Sequence, residues 1–78
     1  MNKIKIDNFK LGEEVLIKSY NPPVKAKIAD MYELPFEQVP MDNITLIRKY
    51  QGKKVPVFEV FIDGKVRAFV KEVVSKIN

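Results

Sequence analysis

Apolar and polar residues alternate along several short stretches of this 78-residue chain, and a period of two marks a half-buried strand. Lys3-Ile4-Lys5-Ile6 predicts a short first strand with Ile4 and Ile6 inward, stopped by the turn-forming pair Asp7-Asn8. Gly12 supplies a turn into the β-rich run Val15 to Tyr20. Asn21-Pro22-Pro23 must then interrupt the sheet, because neither proline offers an N–H to a ladder. In Val24-Lys25-Ala26-Lys27-Ile28 the even positions are apolar and the odd ones lysine, a strand with one wet face that can run on to Tyr32. From Glu33 to Asn43 the period lapses around Pro35 and Pro40, which predicts one long loop held down by Leu34, Phe36, Val39 and Met41. Ile44 to Tyr50 is β-branched and aromatic enough for a third strand, with Gln51-Gly52-Lys53-Lys54 turning into the next.

The strongest local signal is the hairpin Val55 to Lys71, which turns at Asp63-Gly64. Side chains alternate faces along a strand, so loop length decides which residues pair. The apolar set Phe58, Val60 and Ile62 on the first arm matches Val66, Ala68 and Val70 on the second, with Glu59 matching Lys65, Arg67 and Lys71 outside. A two-residue loop would pair Val60 with Arg67 and Phe58 with Phe69, mixing the faces. The pattern therefore predicts a three-residue loop, Ile62-Asp63-Gly64, that pairs Val60 with Val66 and places Gly64 left-handed in a G1 bulge. Beyond it, Val70, Val73, Val74 and Ile77 have the spacing of a helical face. Both a helix reaching Ile77 and a single 3₁₀ turn before a last short strand fit that stripe, since β-branched valines weaken a helix.

Composition narrows the chemistry. The chain is 46% apolar and 31% charged, the balance of one ordinary globular domain spanning residues 1–78. Its longest apolar runs are three residues, as in Val15 to Ile17. That is too short for a membrane span, and the start lacks a signal peptide's apolar stretch, so a cytoplasmic setting without membrane contact is expected. There is no cysteine and no histidine. Disulfides, thiolate chemistry and the commonest general base are therefore out of reach, and neither a cofactor nor a metal site is expected. The carboxylates Glu13, Glu14, Asp30 and Asp63 offer no shared acid/base pair, because adjacent Glu13 and Glu14 diverge on a strand and Asp63 serves the turn. No enzyme is expected. The net charge of +4 is uneven: residues 1–42 hold six Lys and seven Asp/Glu, giving −1, whereas residues 43–78 hold eight Lys/Arg and three Asp/Glu, giving +5.

Two stretches resemble the skeleton of the SH3-like small barrels, a broad group that includes Tudor, KOW and BAH-type domains. Phe9-Lys10-Leu11-Gly12-Glu13-Glu14-Val15-Leu16-Ile17 followed by Val24-Lys25-Ala26-Lys27-Ile28 is similar to their entry strand and second strand. Val57-Phe58-Glu59-Val60-Phe61-Ile62-Asp63-Gly64-Lys65, then Val70 and Val74, is similar to their hairpin and closing helical turn. The resemblance covers about half the chain. It implies a mainly β fold, an SH3-like small antiparallel barrel of about five strands with a short C-terminal helical turn. Tudor-like readers also use an aromatic cage. Tyr20, Tyr32 and Phe58 are the nearest positions for one here, although Phe58 reads better as core and there is no Trp.

The functional expectation is a binding module. Arg48-Lys49-Tyr50-Gln51-Gly52-Lys53-Lys54 puts four cations and a tyrosine at an expected hairpin tip, where Arg48, Lys49, Lys53 and Lys54 meet phosphates and Tyr50 stacks on a base. The outer face of the Asp63-Gly64 hairpin adds Lys65, Arg67 and Lys71 beside Phe61 and Phe69. Nucleic acid or another polyanion is the first partner this implies. The alternative is a protein partner or homodimer docked through Phe61 and Phe69, through the loop residues Leu34, Phe36 and Met41, or at a barrel edge.

Overall fold

Along the chain the structure forms β1 (Asn2–Lys3), β2 (Glu14–Ile17), β3 (Val24–Pro35), a 3₁₀ turn Phe36–Gln38 and α1 (Ile44–Tyr50). There follow β4 (Lys54–Ile62), β5 (Lys65–Val70), a second 3₁₀ turn Lys71–Val73 and β6 (Val74–Lys76). It is a computed structural model that describes residues 2–39 and 44–77. All pairings are antiparallel in the order β5-β4-β3-β2-β6, with β1 added on β3. The sheet is mainly what alternation predicted, but it does not close into a barrel: β5 and β6 are free edges. Across the gap, the Tyr20 ring meets Phe69 edge-on at 6.0 Å.

The first half of β3 follows its pattern, with Ala26 and Ile28 buried and Lys25 and Lys27 exposed, and in β2 Val15 and Ile17 are buried. The first strand is shorter than expected, yet Ile6 is buried and Ile4 packs against the same core. β2 ends at Ile17 rather than Tyr20, as the chain turns toward Asn21-Pro22-Pro23. The expected loop from Glu33 begins later. β3 runs through Pro35, and Phe36–Gln38 form the 3₁₀ turn. The part of that loop at 40–43, Met41 included, lies outside the described residues. The strand carries a bulge at Ala29, where the register with β4 shifts between Ile28 and Asp30. One extra residue reverses parity, so the even positions face one way before it and the other way after it.

That reversal serves two apolar clusters. Val57 and Phe58 are both buried although neighbours on a strand point to opposite faces. Phe58 joins Val15, Ile17, Ile28, Met31, Val60 and Val74 in the larger cluster. Val57 joins Tyr32, Tyr50 and Val55, with Leu34, Phe36, Val39, Leu46 and Val70 packed on them. The second cluster needs a lid, and residues 44–50 provide it as a helix, which corrects the strand expected there. Leu46, Ile47 and Tyr50 share one helical face by their spacing and are the protected residues, while Ile44, Thr45, Arg48 and Lys49 are exposed. Gly52, at φ 75°, lets the chain reverse into β4. Pro56 fits within β4 because β5 pairs only from Val57 onward, so no ladder bond is lost.

The Asp63-Gly64 loop has two residues, not three, and is not a G1 bulge. Asp63 at φ 51° and Gly64 at φ 74° are both left-handed, the conformation of a type I′ turn, whose twist matches the flanking strands. Val60 therefore faces Arg67, Phe58 faces Phe69 and Ile62 faces Lys65. The mixture of faces is tolerated because β5 is an edge, where Lys65 and Arg67 reach water beside buried partners. Val66 and Ala68, expected inward, are exposed instead. The C-terminal stripe resolves as the 3₁₀ turn followed by β6, which pairs with β2. Gly64→Ala is expected to cost about 1 kcal/mol or slightly more, since a Cβ penalises positive φ. It would be read as a lower urea midpoint at unchanged slope, and a midpoint equal to wild type would contradict this turn.

Candidate polyanion surface

The basic residues expected to act together fall at two ends of the sheet. Arg48, Lys49, Lys53 and Lys54 lie at the end of α1 and the start of β4, whereas Lys65 follows the end of β4. Lys54 begins β4 and Lys65 pairs with its last residue, Ile62, so at roughly 3.3 Å per residue about 25 Å of strand lies between them. The first group is largely committed to the fold. Tyr50 is 6% exposed and donates its hydroxyl to Glu72 Oε2 at 2.6 Å, and Lys49 Nζ reaches the same oxygen at 2.9 Å. Lys54 stands 3.9 Å from Glu33. Tyr50 therefore cannot stack on a base without leaving its cluster, and the segment is the end of a helix rather than a hairpin tip. Arg48 and Lys53 remain exposed there.

Ionisation follows these contacts. Burial pushes the Tyr50 hydroxyl up, and its bond to Glu72 adds to this. Lys49 is held up by the same carboxylate. Tyr32, buried and donating to Glu59 at 2.9 Å, is pushed up to about 12. Its burial on the face opposite Phe58, itself at 0% exposure, leaves Tyr20, Tyr32 and Phe58 unable to form a cage.

Phe61 and Phe69 part company as well. Phe69 pairs with Phe58 on the inner face and packs on Tyr20. Phe61 pairs with Val66 on the outer face, where it is 54% exposed and Val66 is 52% exposed. Lys65, Arg67 and Phe69 thus share a face that Phe61 does not. Lys71 is half-buried in the 3₁₀ turn.

The register brings other residues to Phe61. Glu14 pairs with Lys27, Lys27 with Phe61 and Phe61 with Val66, a continuous row across four strands on the outer face. Lys25 lies two residues from Lys27 on that face, opposite Leu16. Residues 25 and 27 were legible as a wet face, but their place beside Phe61 depends on a pairing that alternation does not specify. Among the described residues no carboxylate forms an ion pair with Lys25, Lys27, Lys65 or Arg67, whereas Lys3, Lys49, Lys54 and Lys76 pair with Asp30, Glu72, Glu33 and Glu13. An open cleft of about 750 Å³ lies elsewhere, beside Lys5, Lys10, Leu11 and Lys76. Lys76 is already engaged there by Asn8 O, Glu13 and the Phe9 ring.

Among the described residues no cluster of three or more His, Cys, Asp or Glu could hold a metal, and no helix is long and apolar enough to cross a membrane. No protein-family model, curated protein or solved structure matches the chain.

Proposed function

We propose that this chain is a non-enzymatic binding module of SH3-like build that takes an extended polyanion, single-stranded nucleic acid first, across the outer face of β3, β4 and β5. The strand order and the 3₁₀ turn between β5 and β6 support the SH3-like reading, with the sheet left open. The observation that carries the function is the exposed Phe61 ring in a row with Lys27 and Val66, beside Lys25. An exposed ring beside two lysines can stack with an unpaired base while the lysines meet phosphates; a duplex hides its base faces. A cytoplasmic setting goes with this reading.

The test is fluorescence anisotropy with a short labelled oligothymidylate across a salt series. Affinity is expected to fall steeply with salt, and Lys25→Glu/Lys27→Glu to weaken it tenfold or more. Phe61→Ala is expected to cost about 1–3 kcal/mol of binding. Binding that ignores salt, or that survives both variants, would defeat the proposal.

A further inference from the structure

A second partner surface follows from the backbone of β5, independently of the polyanion reading. Phe36 N–H donates to Lys53 O at 3.1 Å, which extends the β3–β4 ladder and fixes its phase. Hydrogen-bonded pairs alternate along antiparallel strands, so odd-numbered residues of β4 bond to β3. Phe58, Val60 and Ile62 then bond to their partners Phe69, Arg67 and Lys65 in β5. The N–H and C=O groups of Val66 and Ala68 consequently point off the open edge. Their side chains are exposed on the outer face, while those of Lys65 and Arg67 are exposed on the other.

Such an edge invites another strand, and its charges select which. A second copy pairing about a twofold axis is disfavoured in the registers centred on Val66 and on Arg67. Centred on Val66 it sets Lys65 opposite Arg67, and centred on Arg67 it sets two arginines opposite each other. Like charges directly opposed are destabilising. A strand with acidic residues on that face reverses each of these terms, and apolar residues at its alternate positions cover Val66 and Ala68. We infer that β5 accepts an extended segment of a partner protein in which acidic and apolar residues alternate, added antiparallel through the backbone of Val66 and Ala68.

The probe is the peptide acetyl-Glu-Val-Glu-Val-Glu-Val-Glu-amide with the full chain, followed by NMR-detected amide exchange and titration. Saturating peptide should slow exchange at Val66 and Ala68 tenfold or more. Arg67→Glu should weaken binding at least tenfold, as should replacing every Glu of the peptide by Lys. Ala68→Pro deletes an N–H that β4 does not use, so it should weaken binding while the far-UV spectrum stays that of the wild type. Lys25→Glu/Lys27→Glu should leave peptide binding intact even where oligothymidylate binding is lost, which separates this inference from the polyanion proposal. Unchanged exchange at Val66 and Ala68 under saturating peptide would overturn it. So would equal binding of the Lys peptide, protection of those amides by oligothymidylate alone, or their protection by self-association without peptide.

Discussion

Phe58→Ala is expected to destabilise the fold by about 3–5 kcal/mol. At roughly 0.05–0.15 kcal/mol per residue, a chain of 78 residues has about 4–12 kcal/mol to lose, so the variant stands at the margin of folding. Phe58 is 0% exposed, and its ring meets Phe9 edge-on at 4.8 Å. On the sheet it lies between Met31 and Phe69. Backbone paired on both sides cannot collapse into the space, and the cavity persists. Urea unfolding followed by circular dichroism checks this. Phe58→Leu, at about 1–2 kcal/mol, gives a measurable midpoint if the alanine variant does not fold. Phe61→Ala, three residues on, is expected to stay within about 0.5 kcal/mol of wild type because its ring is largely in water. A large loss there would contradict the outer-face position, and with it the surface proposed for binding.

Glu72→Ala is expected to cost about 2–3 kcal/mol, because it leaves the buried Tyr50 hydroxyl without its acceptor and removes the partner of Lys49. The contact ties α1 to the 3₁₀ turn that leads into β6, so its loss should loosen the lid over Val55 and Val57. Burial works against the ionised Glu72 carboxylate, but the Tyr50 hydroxyl and the Lys49 ammonium outweigh it and hold its pKa below the ordinary glutamate value of 4.5. A depressed folded-state pKa contributes stability that is complete above the unfolded value and is lost as pH falls through the folded one. Wild-type stability should therefore decline on acidification below about the ordinary glutamate range, and Glu72→Ala should flatten that limb. Equal acid dependence in the two proteins would refute the assignment. Tyr50→Phe, which keeps the ring in its cluster, should cost less, about 1 kcal/mol.

Alternation alone determined much of this molecule. It located the first half of β3 and both arms of the hairpin, and it identified Ile6, Ala26, Ile28, Phe58, Val60 and Ile62 as core. It did so because period-two patterning and one-sided burial are the same fact wherever a single face of the sheet is covered. Asn21-Pro22-Pro23 and Asp63-Gly64 marked their turns through backbone chemistry that needs no partner. Tertiary structure decided the rest. Once α1 covers a second face, β4 has no dry and wet side to tell apart, and Leu46, Ile47 and Tyr50 become a helical stripe only because Val55 and Val57 need covering. The bulge at Ala29 reverses parity in the middle of β3, and Pro35, at the strand's end, made Glu33 to Pro35 resemble a loop. The hairpin obeyed the twist of its I′ turn rather than the tidiness of its faces, since an edge strand can leave Lys65 and Arg67 in water. That choice of register put Phe61 beside Val66 and turned Phe69 inward, while the pairing of β3 with β4 put Phe61 beside Lys27. The surface proposed for a partner was therefore set by strand pairing, a long-range property that no local pattern of residues encodes.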